Sequence, residues 1–215
     1  MTYLQIVNRV LRLLREDEVA SVQTTTYSKL VGDFVNQAKS EIEGSWSWNV
    51  LRSTISVNTA NGTFRYVLTG TGTKSTVLDS YNDTDNLMLR STSMESLNKR
   101  FTFDTVSGSP CEYGINGSDS NGDIQVDVYP IPDGIYNLDF NLILKQADLS
   151  ADTDIPKVPN DVVILGAWAL AISERGEDGG ASYAEIDVRY KNSLADAISV
   201  DASNMHSSET KWYAS

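Results

Sequence analysis

Hydrophobic residues recur at helical spacing in the opening segment and alternate in the long segment that follows. Leu4, Val7, Leu11 and Leu14 are spaced three, four and three apart, which sets them on one helical stripe. Arg9, Arg12, Arg15 and Glu16 take the other side. A polar link from Val19 to Thr26 follows, with Thr26 placed to cap a second helix. Tyr27, Val31, Phe34, Ala38 and Ile42 share a face of that helix, and Gly44 with Ser45-Trp46-Ser47-Trp48 ends it. So short a link predicts an antiparallel helical hairpin.

From Leu51 to Leu149 the period is two. Ile55 and Val57 alternate with polar residues. Phe64, Tyr66 and Leu68 form one face, as do Ile124, Val126 and Val128, and Tyr136, Leu138, Phe140, Leu142 and Leu144. Turn pairs separate these runs: Asn61-Gly62, Asn116-Gly117, Asn121-Gly122 and Asp133-Gly134. This predicts an antiparallel β unit with one wet face. Helix returns after Pro156 and Pro159, starting at Pro159 or Asn160 and breaking at the Gly-Glu-Asp-Gly-Gly run. A fourth helix follows, with Tyr183, Ile186, Tyr190, Leu194 and Ala197 on one side.

The expected fold is α+β: a four-helix (two plus two) bundle interrupted by an antiparallel β insertion, with an extended tail. The expected divisions are a helical hairpin over residues 1–50, the β insertion over 51–149, a helical pair completing the bundle over 150–200, and the tail over 201–215.

One stretch invites a chemical reading. Thr69 to Thr76 reads TGTGTKST, which looks like a phosphate-holding loop. A P-loop needs glycine directly before its lysine and a helix directly after it. Here Thr73 precedes Lys74, and Val77-Leu78 continues as strand. The stretch therefore reads as a flexible hairpin connection between Tyr66-Val67-Leu68 and Thr76-Val77-Leu78, and a nucleotide site is rejected.

Composition narrows the remaining chemistry. The net charge of −12 argues against a nucleic-acid grip, which needs a basic field. Cys111 is the one cysteine, so no intrachain disulfide forms, and it reads as a packing residue. The N-terminal pattern is not that of a signal peptide, and no apolar run approaches a membrane span, so a soluble intracellular protein is expected. His206 is the one histidine, and it lies in the tail, badly placed for a Ser-His-Asp device, which needs a histidine held inside a cleft. With one histidine and one cysteine, the usual zinc sets are absent. Asp83 with Asp85, and Asp119 with Asp123, are acidic pairs. The second loosely resembles a calcium loop but lacks its frame and terminal glutamate, so a solvated turn is the better reading. Glu16, Asp17 and Glu18 read as a solvated helix end. The Asn-x-Ser/Thr matches at Asn61, Asn82 and Asn116 carry little weight without secretion. No catalytic, cofactor or metal residues are assigned.

Trp46 and Trp48 read as core where helix meets strand, and Trp168 as core within its helix. Trp212 and Tyr213 differ: they are large apolar groups in a polar tail, DASNMHSSETKWYAS. Buried in a pocket, each would contribute about 1.5–3 kcal/mol. The tail reads as a peptide that docks on a partner and orders on binding, or that folds back on its own chain.

Three stretches together carry a resemblance: LQIVNRVLRLLRED, YSKLVGDFVNQAKSEIEGSWSWNVLRS, and IPKVPNDVVILGAWALAISERGEDGGASYAEIDVRYKNSLADAI. They resemble the head-to-tail adaptor (connector) proteins of tailed bacteriophages. The resemblance implies a structural, non-enzymatic virion protein at the capsid–tail junction, assembled in the host cytoplasm. It implies a homo-oligomeric, dodecameric ring between the portal protein ring and the tail or nozzle proteins. Such a ring lines the channel through which genomic DNA passes during ejection, without specific binding and without a membrane or cofactor. A negative wall lets DNA slide, which suits the acidic charge. It also implies a tail segment reaching the portal, with Met205, His206, Lys211, Trp212 and Tyr213 as the portal contacts. A reading from another class makes the β unit a virion binding module for a carbohydrate or a receptor. A third, a divalent-ion hydrolase or nuclease at Asp119 and Asp123, lacks a base and a nucleophile.

Overall fold

The computed structural model describes residues 1–72, 74–176 and 181–204. They divide into two compact units, residues 1–50 with 146 onward, and residues 51–145.

Unit 1 is helical. α1 (Tyr3–Leu13) and α2 (Thr26–Ser45) each start with a capping box: Thr2 with Gln5, and Thr25 with Ser28. The cap of α2 is thus Thr25, one residue before the expected Thr26. α4 (Asn160–Arg175) begins after Pro159 and stops at Gly176, whose left-handed backbone (φ 61°) lets its N–H reach the Ile172 carbonyl at 3.1 Å. α5 spans Ala181–Ser203. α1 buries a wider face than its four-residue stripe predicts. Ile6 and Val10 join Val7, Leu11 and Leu14 in the core, whereas Leu4 is half-exposed. The reason is that α1 packs against both α2 and α4.

Asparagines and charges fix the connections. Asn8 holds both the N–H and the carbonyl of Val19, each at 2.9 Å. Asn36 does the same for Leu149, at 2.8 and 3.0 Å. Lys39 and Glu43, each 1% exposed at the side chain, pair inside the unit at 3.3 Å, and Lys39 Nζ also donates to the Gln146 carbonyl at 2.7 Å. Arg175 donates to the Tyr27 hydroxyl, the Leu14 carbonyl and Glu16, and its guanidinium stacks 5.1 Å from the centre of the Tyr27 ring. One side chain on α4 thereby ties the end of α1 to the start of α2.

Unit 2 holds two four-stranded sheets. The first has the order β1 (Arg52–Asn58), β8 (Asn137–Ile143), β3 (Thr76–Asn82), β4 (Leu87–Met88). The second has the order β2 (Arg65–Leu68), β7 (Ile124–Tyr129), β6 (Glu112–Ser118), β5 (Arg90–Ser91). All pairings are antiparallel except β5 with β6. Leu68, Val126 and Val128 from one sheet meet Leu138, Phe140 and Leu142 from the other in a common core. These are the inward positions that the alternation marked.

The expected fold class is corrected. The protein is a sheet-rich α+β fold and not a four-helix bundle with one β insertion. Among the described residues there are five helices and two sheets, one of them mixed. Two physical causes separate expectation from structure. The first is α3 (Met94–Phe103), a helix inside the β unit, capped by Ser93 and burying Leu97 on β6. Met94, Leu97 and Phe101 have helical spacing, and Gly114 leaves the room they need: a Cβ there would meet Leu97 at 2.7 Å and Met94 at 2.8 Å. The second is α5. It packs chiefly on α4, with Ile186 its one buried side chain among those described, so it flanks the other helices and does not close a bundle around a shared core.

Candidate functional site

The glycine-rich stretch holds an anion after all, one supplied by its own chain. Gly70 (φ 89°) and Gly72 (φ 60°) take left-handed conformations that aim their N–H groups inward, and both donate to the Asp123 carboxylate, at 3.0 and 2.9 Å. The Gly70 N–H, followed by that of Gly72, holds Asp123 below the usual carboxylate pKa. Thr71 completes the arrangement, accepting from Ile124 N–H and donating to the Leu68 carbonyl, each at 2.8 Å. The stretch is not the expected hairpin. β2 and β3 lie in different sheets, so it is a crossover, and Asp123 on the β6–β7 turn pins it.

Asp119 and Asp85 likewise accept hydrogen bonds from their own chain. Asp119 Oδ1 accepts from the N–H groups of Asn121 and Asp123, at 2.8 and 2.9 Å. Asp85 accepts from Ser109 and Asn82. Among the described residues no group of three or more His, Cys, Asp or Glu side chains is placed to hold a metal. The Cys111 thiol is half-buried, and burial raises its pKa. Among the described residues no helix is long and apolar enough to cross a membrane.

Grooves open on each unit. On unit 2, Thr54, Asn141 and Asp79 form a hydrogen-bonded row across β1, β8 and β3, with Asn141 donating to Asp79 at 2.6 Å. With Arg52 and Leu78 they line a groove of about 400 Å³. On unit 1, a groove of about 370 Å³ opens between the turn before α4 and the end of α5, walled by Val50, Pro156, Pro159 and Val200. Asp201 secures the α5 side. Its carboxylate accepts from Trp46 Nε1 at 3.0 Å and Asn49 N–H at 3.2 Å, and its carbonyl accepts from Asn49 Nδ2. Trp48 is buried beneath, donating to the Ile42 carbonyl at 2.7 Å. Sequence reasoning missed this clamp and Arg175, because their partners lie more than a hundred positions away.

The expected portal contacts Met205, His206, Lys211, Trp212 and Tyr213 lie outside the described residues. What the structure places is the point where that segment begins: Asn204 lines the unit 1 groove.

The model of the SU10 adaptor protein family matches residues 1–211. The chain belongs to that family. No curated protein matches it. The expected kinship with phage head-to-tail adaptors thus holds over both units. The SU10 adaptor is a structural component of the virion, working where capsid and tail join, with portal and tail proteins as its class of partner. In this adaptor, the site that matters is therefore a surface.

Proposed function

We propose that this adaptor assembles as a dodecameric ring between the portal and the tail or nozzle proteins and lines the DNA channel. The observation that carries the reading is α5. It runs from Ala181 to Ser203 and buries a single described side chain, Ile186. Its outer face keeps Val188 56% and Val200 65% exposed, apolar surface that a further partner can cover. In a ring, a neighbouring copy covers that surface. The net charge of −12 supports a channel wall that repels DNA and lets it slide during ejection. Segment 205–215 then reaches the portal, with Trp212 and Tyr213 as anchors and Met205, His206 and Lys211 beside them, the repeated contacts adding by avidity.

The test mixes assembled portal rings with the full chain and with a version ending at Asn204, followed by size-exclusion chromatography with light scattering. The cut falls after α5, because Asp201 is part of the helical unit. Co-elution of the full chain alone, in portal-matched copy number, supports ring and tail together. Co-elution of both versions retains the ring and removes the tail. Co-elution of neither removes the reading for that portal.

A second reading is favoured by the Arg52–Thr54–Asn141–Asp79 groove: unit 2 binds a carbohydrate or a receptor. Planar amide and carboxylate groups beside a guanidinium suit sugar hydroxyls. Binding of the full chain to a glycan array, lost in Asn141→Ala, is the outcome expected of it.

A further inference from the structure

We propose that in the free protein Trp212 and Tyr213 of the chain's own segment 205–215 seat in the groove between Val50 and Val200. The inference rests on reading that segment as the portal-docking element, and adds where it waits before assembly.

Position, chemistry and tethering favour this occupant. Asn204 is the last described residue and itself lines the groove. Trp212 follows it by eight positions, a reach of up to about 27 Å when extended, so the whole groove is accessible. Apolar side chains stand open to water among polar ones on its walls: Val50 is 50% and Val200 65% exposed, beside Pro156 and Pro159. Aromatic rings bury well against such walls. The rim carries one charge of each sign, Lys157 and Asp201, and the segment carries Glu209 and Lys211, the latter next to Trp212. The wall is also preformed, because Trp46 and Asn49 hold Asp201 in place, so little ordering is required of it on binding. Finally, a short tether gives an effective concentration in the millimolar range, so even a weak intrinsic contact is occupied.

The consequence is a held docking element. The aromatic anchors are covered on the free protein and are handed to the portal on assembly, where many copies act together.

The test uses the full chain and a fluorescein-labelled peptide of sequence 205–215, read by fluorescence anisotropy. The variant Trp212→Ala/Tyr213→Ala empties the groove and is expected to bind the peptide at least tenfold more tightly than the wild type, whose own segment competes. Adding Val50→Glu and Val200→Glu to that variant is expected to weaken binding at least tenfold. Both valines are exposed, so folding is retained, which a melting curve verifies. No peptide binding, equal binding to wild type and to Trp212→Ala/Tyr213→Ala, or insensitivity to the glutamates overturns the proposal. Light scattering separates the other source. If the wild type has the mass of two or more chains and Trp212→Ala/Tyr213→Ala that of one, the occupant comes from a second copy and the own-chain assignment falls. Portal co-elution is read on the wild type and on Trp212→Ala/Tyr213→Ala, because Val200 lies on the α5 surface proposed to meet a neighbouring copy. Groove failure and portal failure therefore give different patterns.

Discussion

The backbone N–H of Gly72 donates to the carboxylate of Asp123 at 2.9 Å, across more than fifty positions of sequence. With Gly70 it makes the crossover between the two sheets depend on one acid. Asp123→Ala leaves two inward N–H groups without an acceptor and is expected to lower Tm by about 5 °C. Differential scanning calorimetry measures it.

The same bond has a pH signature. Because the native state holds Asp123 below its ordinary value, its stabilisation is fully present above about pH 4 and is lost as pH falls through the depressed native value. Asp154 behaves alike, since it accepts from the N–H groups of Ser150 and Ala151, both at 2.8 Å. Melting curves between pH 2 and 7 are expected to show a Tm gap between wild type and Asp123→Asn that closes toward the acid end. A gap of constant size would contradict this.

Lys39 and Glu43 test the interior of unit 1. Lys39→Met removes the cation paired with the buried Glu43 carboxylate and is expected to cost about 3–5 kcal/mol in urea unfolding. The double variant Lys39→Met/Glu43→Leu, which removes both charges, is expected to recover most of that loss.

Arg175 is a clamp of specific shape. Arg175→Lys keeps the charge but cannot serve Tyr27, the Leu14 carbonyl and Glu16 together. A loss of about 1.5–3 kcal/mol is expected, and Lys is expected to rescue little of what Ala loses. Hydrogen exchange is expected to rise first at the end of α1 and the start of α2.

Gly166 sits where helices come closest. A Cβ there would meet the Ala38 Cβ at 3.0 Å and the Tyr190 ring at 3.1 Å. Gly166→Ala therefore sets helix propensity against overpacking. Overpacking is expected to win by about 1–3 kcal/mol, with amide exchange increasing along α5.

Much of the fold was legible because the patterns involved are local. Val7, Leu11 and Leu14 on α1, and Val31, Ala38 and Ile42 on α2, are buried where their spacing placed them. So are Leu138, Phe140 and Leu142 on β8, because successive side chains of a strand point to opposite faces and these three face the core between the sheets. What escaped was non-local. Nothing adjacent to Gly70 or Gly72 names Asp123 as their acceptor. Nothing within Arg65-Tyr66-Val67-Leu68 says that its partner is β7 and not β3. The helix α3 was hidden for a different reason: Met94, Leu97 and Phe101 are too few apolar positions to stand out from a long alternating context. Trp212 and Tyr213 stand out by composition, but the groove on unit 1 does not. Its walls come from the SWSWN link, the proline turn and α5, which only tertiary structure brings together.

Arg52, at the start of β1, is paired directly with Ile143, at the end of β8, and Leu144 N–H still donates to the Leu51 carbonyl at 2.8 Å. Unit 2 therefore leaves and rejoins the chain through neighbouring strands, where facing Cα atoms are about 5 Å apart. Both ends of unit 2 thus lie within the span of one or two residues of chain, about 3.8 Å each, so the segment can be cut out or exchanged at one pair of adjacent points. Unit 2 is in this sense a parenthesis in the chain, opened and closed at one place.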